Sequence, residues 1–278
     1  MKIALIQQRA TADLDDNLRR GTAAFERAAR AGANLVAFAE LAFLPFLPQT
    51  PSADQPGFRS FAQTVPGPLT EEFGSLARRH GVAAVLNLFE RDGEATFDSS
   101  PVLDADGTLL GVTRMIHIME GPGFHERGYY HPGRNERFVY ATAVGRLGVA
   151  ICYDRHFPEY MRGLALAGAQ LVVVPQAGVL DEWGEGLYEG EMRIAALQNG
   201  YFTALVNRVG AEDILHFSGE SFVTDPAGQV LARAPRDAEA ILTAECDFGL
   251  IEKSPARRHF LVDRRPAVYR RLGLTDDK

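Results

Sequence analysis

Short apolar runs alternate with amphipathic stretches along most of the chain, and the period of each run predicts its element. Lys2 to Gln7 reads as a strand, Asp13 to Ala31 as a helix, and Leu35-Val36-Ala37-Phe38-Ala39 as a buried strand closed by Glu40. A loop from Pro45 to Pro68 follows, punctuated by Pro48, Pro51, Pro56 and Pro66. A helix from Leu69 to His80 leads through Gly81 into a strand from Val82 to Phe89. Asp104-Ala105-Asp106-Gly107 carries an Asp-Gly turn between two apolar segments and predicts a hairpin, as Asp225-Pro226-Ala227-Gly228 does later. Between the hairpins strand and helix alternate again: Gly148 to Ile151, helix Pro158 to Ala167, strand Leu171 to Val174, helix Leu187 to Asn199, strand Phe202 to Asn207.

Helices between short buried strands imply an α/β fold whose sheets are covered on their outer faces, and hairpins extend such sheets in antiparallel fashion. Two sheets stacked face to face account for both features. The 278 residues fit one domain spanning 1–278, with no tandem repeat and only Thr275 to Lys278 reading as disordered.

Composition narrows the partners. Asp and Glu number 36 against 29 Lys and Arg, a formal charge of -7, which argues against a nucleic-acid backbone as ligand. The basic pairs Arg257-Arg258, Arg264-Arg265 and Arg270-Arg271 then read as a solvated or subunit-facing surface. The first strand turns polar at Gln7-Gln8-Arg9, too soon for a signal peptide or a membrane span. Cys152 and Cys246 alone make no disulfide framework and lack the Cys or His neighbours of a zinc site, so a cytoplasmic, metal-free protein is expected.

Three residues stand where chemistry can be done. Cys152 ends the apolar run Val149-Ala150-Ile151 and opens the polar turn Tyr153-Asp154-Arg155-His156; α/β folds place their sites at strand ends, although most free cysteines simply pack. Cys246, inside an alternating strand, reads as packing. Glu40 closes a buried strand, where a carboxyl has a raised pKa suited to a general base, against the plainer reading of a surface glutamate. Glu126 follows Gly121-Pro122-Gly123, a tight loop able to fix a second carboxyl.

Taken in order, Phe38-Ala39-Glu40, Pro122-Gly123-Phe124, Ile151-Cys152-Tyr153-Asp154, Phe157-Pro158-Glu159, Val206-Asn207-Arg208-Val209-Gly210 and Asp263-Arg264-Arg265-Pro266 resemble the nitrilase superfamily of carbon-nitrogen hydrolases over the full length. The resemblance implies a four-layer α-β-β-α sandwich of two stacked mixed sheets. It implies that Glu40 is the base and Cys152 the nucleophile that attacks an amide, nitrile or carbamoyl carbon, with Glu126 beside them and no metal or organic cofactor. It also implies a homo-oligomer, at least a dimer, with the tail 252–278 reaching toward a partner subunit.

One family residue is absent. The lysine that stands two residues before the histidine matching His117 is here Met115, and its neighbour Arg114 is the candidate to replace it through a small bulge. Loss of such an oxyanion donor costs about 10² to 10³ in rate. The Tyr153 N–H remains as a donor, and a non-catalytic ligand-binding or scaffold protein is the alternative reading. The segment after Cys152 resembles N-carbamoyl amino acid hydrolases and β-ureidopropionases, which makes Arg155 a candidate clamp for a substrate carboxylate, or else the partner of Asp154 or Glu159 in an internal ion pair. Gly123-Phe124-His125-Glu126 resembles N-carbamoylputrescine amidases instead. Trp183 is a candidate pocket wall or a loop-packing residue, and His117 a structural hydrogen-bonder or a substrate contact.

Overall fold

The computed structural model describes residues 1–274; the Thr275–Lys278 tail lies outside the described residues. The first half contains β1 (Lys2–Gln7), α1 (Leu14–Arg30), β2 (Leu35–Phe38), α2 (Pro68–His80), β3 (Ala83–Val85), β4 (Leu88–Asp92), β5 (Ala95–Leu103) and β6 (Leu109–Arg114). Short strands β7 (Glu120–Gly121) and β8 (Phe124–His125) lead into β9 (Val139–Thr142), β10 (Gly145–Val149), α3 (Pro158–Leu166), β11 (Leu171–Gln176), α4 (Leu187–Asn199) and β12 (Phe202–Asn207). The chain ends with β13 (Val209–Glu212), β14 (Leu215–Ser218), β15 (Phe222–Thr224), β16 (Val230–Arg233), β17 (Ala240–Glu245) and α5 (Pro266–Arg271). Among the described residues no helix is long and apolar enough to cross a membrane.

One sheet has the order β17-β1-β2-β3-β5-β4 with β6 on β5, and the other β16-β15-β12-β11-β10-β9. Each has a parallel centre, β1-β2-β3 in one and β10-β11-β12 in the other, flanked by antiparallel strands. The pleat explains the layering, because successive side chains of a strand point to opposite faces. Ile3, Leu5, Leu35, Ala37, Ala83 and Val85 from the first sheet share one core with Leu147, Val149, Leu171, Val173, Phe202 and Ala204 from the second. Their chain neighbours face outward: Ala4, Ile6, Val36 and Phe38 pack on Phe25 of α1 and Phe73 of α2, while Val172, Val174 and Leu205 pack on Leu164 of α3 and Met192 of α4. The result is a four-layer α-β-β-α sandwich.

The helices end where their sequences say they should. Asp13 caps α1 by accepting the Asp16 N–H at 2.9 Å, with Asp15 and Asp16 in the first turn and Arg27 and Arg30 in the last, each sign opposing the helix dipole. Gly81 and Gly200 close α2 and α4 at φ of 67° and 69°, a left-handed conformation that costs glycine nothing. Both predicted hairpins form, β5–β6 around Asp104–Gly107 and β15–β16 around Asp225–Gly228. The strand expected over Val82 to Phe89 is broken into β3 and β4, because Asn87 turns its amide inward to hydrogen-bond Leu41, Asp98 and Ser100. The β13–β14 hairpin has no counterpart in the sequence reading. Cys246 packs between the sheets at 1% exposure.

Candidate active site

The two sheets carry their chemical residues at neighbouring strand ends. Glu40 lies two residues beyond β2, and Leu41 after it takes a positive φ of 45°. That bend is held from two sides: Asn87 Oδ1 accepts the Leu41 N–H at 2.7 Å, and Arg208 donates to the Glu40 carbonyl at 2.9 Å and the Leu44 carbonyl at 3.1 Å. Arg208 is itself fully buried, ion-paired to Glu212 and stacked over Phe217. Cys152 stands just past β10 with φ of 43°, at the head of a short helical turn from Cys152 to His156. A non-glycine residue in that region is strained by roughly 1–3 kcal/mol, and such strain concentrates at functional positions. The Ala177 N–H at the end of β11 donates to the Cys152 sulfur.

Glu40, Glu126, Asp98 and Cys152 form one buried group. Glu40, Glu126 and Asp98 are 0% exposed and Cys152 6%. Neither Glu40 oxygen accepts a backbone or side-chain N–H; the groups that face them are the Asp98 carboxyl and the Cys152 thiol. Burial, then the Glu126 charge, pushes the Glu40 pKa up to about 8. Burial also raises Asp98, Glu126 and Cys152 well above their ordinary values, each reinforced by a carboxyl of the group. Glu126 accepts the Met119 N–H at 3.0 Å through Oε2, while Oε1 has no partner. Among the described residues no cluster of three or more His, Cys, Asp or Glu is arranged to hold a metal ion.

The structure brings together Glu40, Glu126 and Cys152 from the sequence-predicted set, and separates Arg114 from them. Arg114 pairs across the sheet with Ser99, with no bulge near it; the β5–β6 register shift lies at the far end, at Val102/Leu103. Because the pleat alternates, Arg114 points to the face opposite Met115. Its guanidinium is bound to Glu90 and Asp92 and lies 4.1 Å over the Phe97 ring. Met115 faces the core at 0% exposure, with no cationic group of its own to offer.

The flanking candidates are mostly engaged in structure. Asp154, fully buried, accepts the N–H groups of Ile116 and His117, and its Oδ1 lies 2.7 Å from His117 Nδ1, so it fastens the 115–119 segment to the cysteine turn. His117 also stacks on Phe157 at 3.5 Å. Arg155 forms an internal ion pair, but with Glu191 of α4 at 3.1 Å rather than with Asp154 or Glu159. It further donates to the Cys152 carbonyl at 2.9 Å and Gln176 Oε1 at 2.6 Å, leaving one buried terminal nitrogen without a partner. Tyr153 packs edge-on against His156 and Phe157. Trp183, 40% exposed, packs at a tilt on His156 with ring centroids 5.1 Å apart and borders two cavities of about 440 and 580 Å³, neither lined by Cys152, Glu40 or Glu126.

Asp98, Asn87 and Arg208 are the residues the sequence reading missed. The signal for Asp98 was present: Asp98-Ser99-Ser100 is a polar run inside a strand whose alternate residue Val102 belongs to the inter-sheet core. Arg208 stood in a motif that the resemblance quoted but gave no role.

A two-sheet α/β sandwich that buries a thiol against carboxyls at its strand ends has the parts for nucleophilic, proton-transferring chemistry. The carbon-nitrogen hydrolase family model matches residues 2–256, and the chain belongs to that family, within the nitrilase superfamily. It is 32% identical to N-carbamoylputrescine amidase of Solanum lycopersicum over 291 residues, covering 99% of this chain and 95% of that one. The crystal structure of a carbon-nitrogen hydrolase from Helicobacter pylori G27 superposes with a TM-score of 0.89 at 30% identity, covering 98% of both chains. A variant of the amidase from Nesterenkonia sp. AN1, with acrylamide added at its active-site cysteine, superposes at 0.82 and 28% identity, over 98% of this chain and 99% of that one.

Two predictions follow from this geometry. The fold favours the protonated Glu40 carboxyl, so its contribution to stability is complete below the unfolded value of 4.5 and lost as pH rises through about 8. Glu40→Gln is therefore expected to resist urea better than wild type above pH 8, read from urea melts across pH. The acid limb of the wild-type kcat/KM profile is expected toward 8 rather than 4.5, checked by initial rates across pH. Arg114→Ala is expected to keep kcat within about threefold while losing roughly 1.5–3 kcal/mol of stability, because Glu90, 2% exposed, is left short of its guanidinium. A collapse of kcat in a folded variant, read by steady-state kinetics beside urea melts, would restore Arg114 to the site.

Proposed function

We propose that the enzyme hydrolyses the terminal urea of N-carbamoyl amines, or short linear amides, with release of ammonia through a covalent intermediate on Cys152, a thiocarbamate from the urea or a thioester from the amide. The observation that carries this reading is the Glu40 carboxyl facing the Cys152 thiol in a buried pocket. Glu40 takes the thiol proton as sulfur attacks the carbonyl carbon, and passes it to the leaving nitrogen as the carbon-nitrogen bond breaks. Water, deprotonated by the same carboxylate, then cleaves the sulfur-carbon bond and the thiol recovers its proton. The Tyr153 N–H opens the helical turn, where backbone donors lack partners within the turn, and serves the developing oxyanion. The acrylamide adduct on the Nesterenkonia amidase supports a nucleophilic cysteine.

An amine-bearing substrate is favoured over a carboxylate because Arg155 has already committed its donors to Glu191, Gln176 and the Cys152 carbonyl. A bidentate clamp needs two parallel N–H groups, and one free terminal nitrogen is a poor fork. The name of the tomato relative agrees in kind.

We also infer a single domain over 1–278, a cytoplasmic setting, and a homodimer at least. The free thiols of Cys152 and Cys246 support the compartment. For the dimer, Leu166, Leu187 and Ile194 on α3 and α4 and Phe260, Val262 and Leu272 in the 252–278 tail are exposed apolar side chains on adjoining segments.

Intact-mass spectrometry and ammonia release with N-carbamoyl amines, N-carbamoyl amino acids and short amides test the chemistry. Turnover of the amines with a transient adduct on Cys152, absent in Cys152→Ala, is expected. Preference for the amino acids would return Arg155 to carboxylate binding, and no turnover across the panel would favour a ligand-binding protein. Light scattering on a sizing column is expected to give at least twice the 30.4 kDa chain mass; Ile194→Asp is expected to lower it.

A further inference from the structure

We propose that Asp98 works as a neutral, proton-donating partner of Glu40, a positioning residue that occupies the ground a cation would hold in this pocket. The inference rests on Glu40 acting as base for Cys152. Asp98 is 0% exposed on β5, on the inward face of the pleat with Thr96, Ser100 and Val102. Its Oδ1 accepts the Asn87 side-chain N–H at 2.6 Å, which fixes the carboxyl plane. Its Oδ2 has no N–H or hydroxyl partner, and Glu40 is the group within hydrogen-bonding reach. Two carboxyls in contact cannot both be ionised in a buried site, so one proton stays between them.

Position completes the case. Met115 stands where the family resemblance calls for a lysine, and its backbone N–H is bonded to the Asp98 carbonyl at 2.9 Å. The residue that lost the cation is thus the immediate neighbour of the residue that holds the proton. The other groups facing the pair are Glu126, Cys152, Asp154 and Tyr130, none of them a cation, and Arg208, whose hydrogen bonds go to Glu212 and the carbonyls of Glu40, Leu41 and Leu44. With Asp98 protonated, its O–H donates to the Glu40 carboxylate and stabilises the form that can accept the thiol proton. Only one negative charge is then carried by the pair, and no lysine is required to balance a second. Glu40 stays the base; Asp98 keeps its proton through the cycle.

The sign of a shift decides the matter. Alkylation of Cys152 by iodoacetamide, followed by mass spectrometry across pH, reads Glu40 as base without any substrate turnover. If Asp98 is a neutral donor, Asp98→Asn keeps both the Asn87 contact and an N–H toward Glu40, so the acid limb stays where wild type has it. Asp98→Ala removes the donor and moves the limb to higher pH, with a rate at neutral pH lower by roughly tenfold, the effect of about one pKa unit. If Asp98 is instead an anion, either substitution relieves repulsion and moves the limb to lower pH, which overturns the proposal. Asp98→Asn decides the question alone if Asp98→Ala fails to fold. Labelling that persists in Cys152→Ala, or a limb that survives in Glu40→Gln, would remove the cysteine–glutamate reading, and this proposal with it.

Discussion

The constraint on which the rest of the molecule depends is the burial of three carboxyls around one thiol without a paired cation. Moving a carboxylate out of water costs several kcal/mol even after a protein has relaxed around it. Glu40, Glu126 and Asp98 are all buried, and each has an oxygen that accepts no N–H. A fold can hold such a group only by keeping protons on it and by fixing its backbone from outside. Both devices are visible. The raised pKa values are the first, and the anchoring of the Glu40 bend by Asn87 and Arg208 is the second.

The sandwich supplies that anchoring because the pocket draws on both sheets. Glu40 and Asp98 come from the first sheet, Cys152 and Arg208 from strand ends of the second, and Glu126 from the turn after β8. Asp154 extends the arrangement by accepting the backbone N–H groups of Ile116 and His117 after β6, which ties the cysteine turn to that segment. Arg155 does the same toward α4 and β11. Asp154 and Arg155 thus brace the turn, while one Arg155 terminal nitrogen and oxygens of Glu40, Glu126 and Asp98 are left without a hydrogen-bond partner.

Much of this was legible in the sequence, for reasons that differ by element. The strands and helices of the α/β core were read from apolar runs, because a strand buried on both faces leaves a continuous Val, Leu and Ala signature. Glu40, Glu126 and Cys152 were found because each stands at a boundary where an apolar run or a glycine loop stops. Asp98 and Asn87 were missed because they interrupt apolar runs from within: the polar run Asp98-Ser99-Ser100 marks a break in the core pattern, but which face those side chains take shows only once the second sheet covers them. Arg155's partner, Glu191, is 36 residues away on another helix, a separation that no local pattern encodes.

Arg114 shows how sharply the pleat divides adjacent residues. A positive charge one position from the expected lysine looks in sequence like a near substitute, but one step along a strand reverses the face on which a side chain emerges. Here the step separates the inter-sheet core from an ion pair with buried Glu90 and exposed Asp92 on the opposite face of the sheet. Bringing the guanidinium inward would require a bulge that the unbroken Ser99–Arg114 pairing excludes, and would strip Glu90 of its partner. The charge balance of the pocket is therefore set by Met115, not by its neighbour. On the proposed mechanism an oxyanion formed there is met by backbone donors in place of a lysine, which ties the rate to the protonation of the surrounding carboxyls.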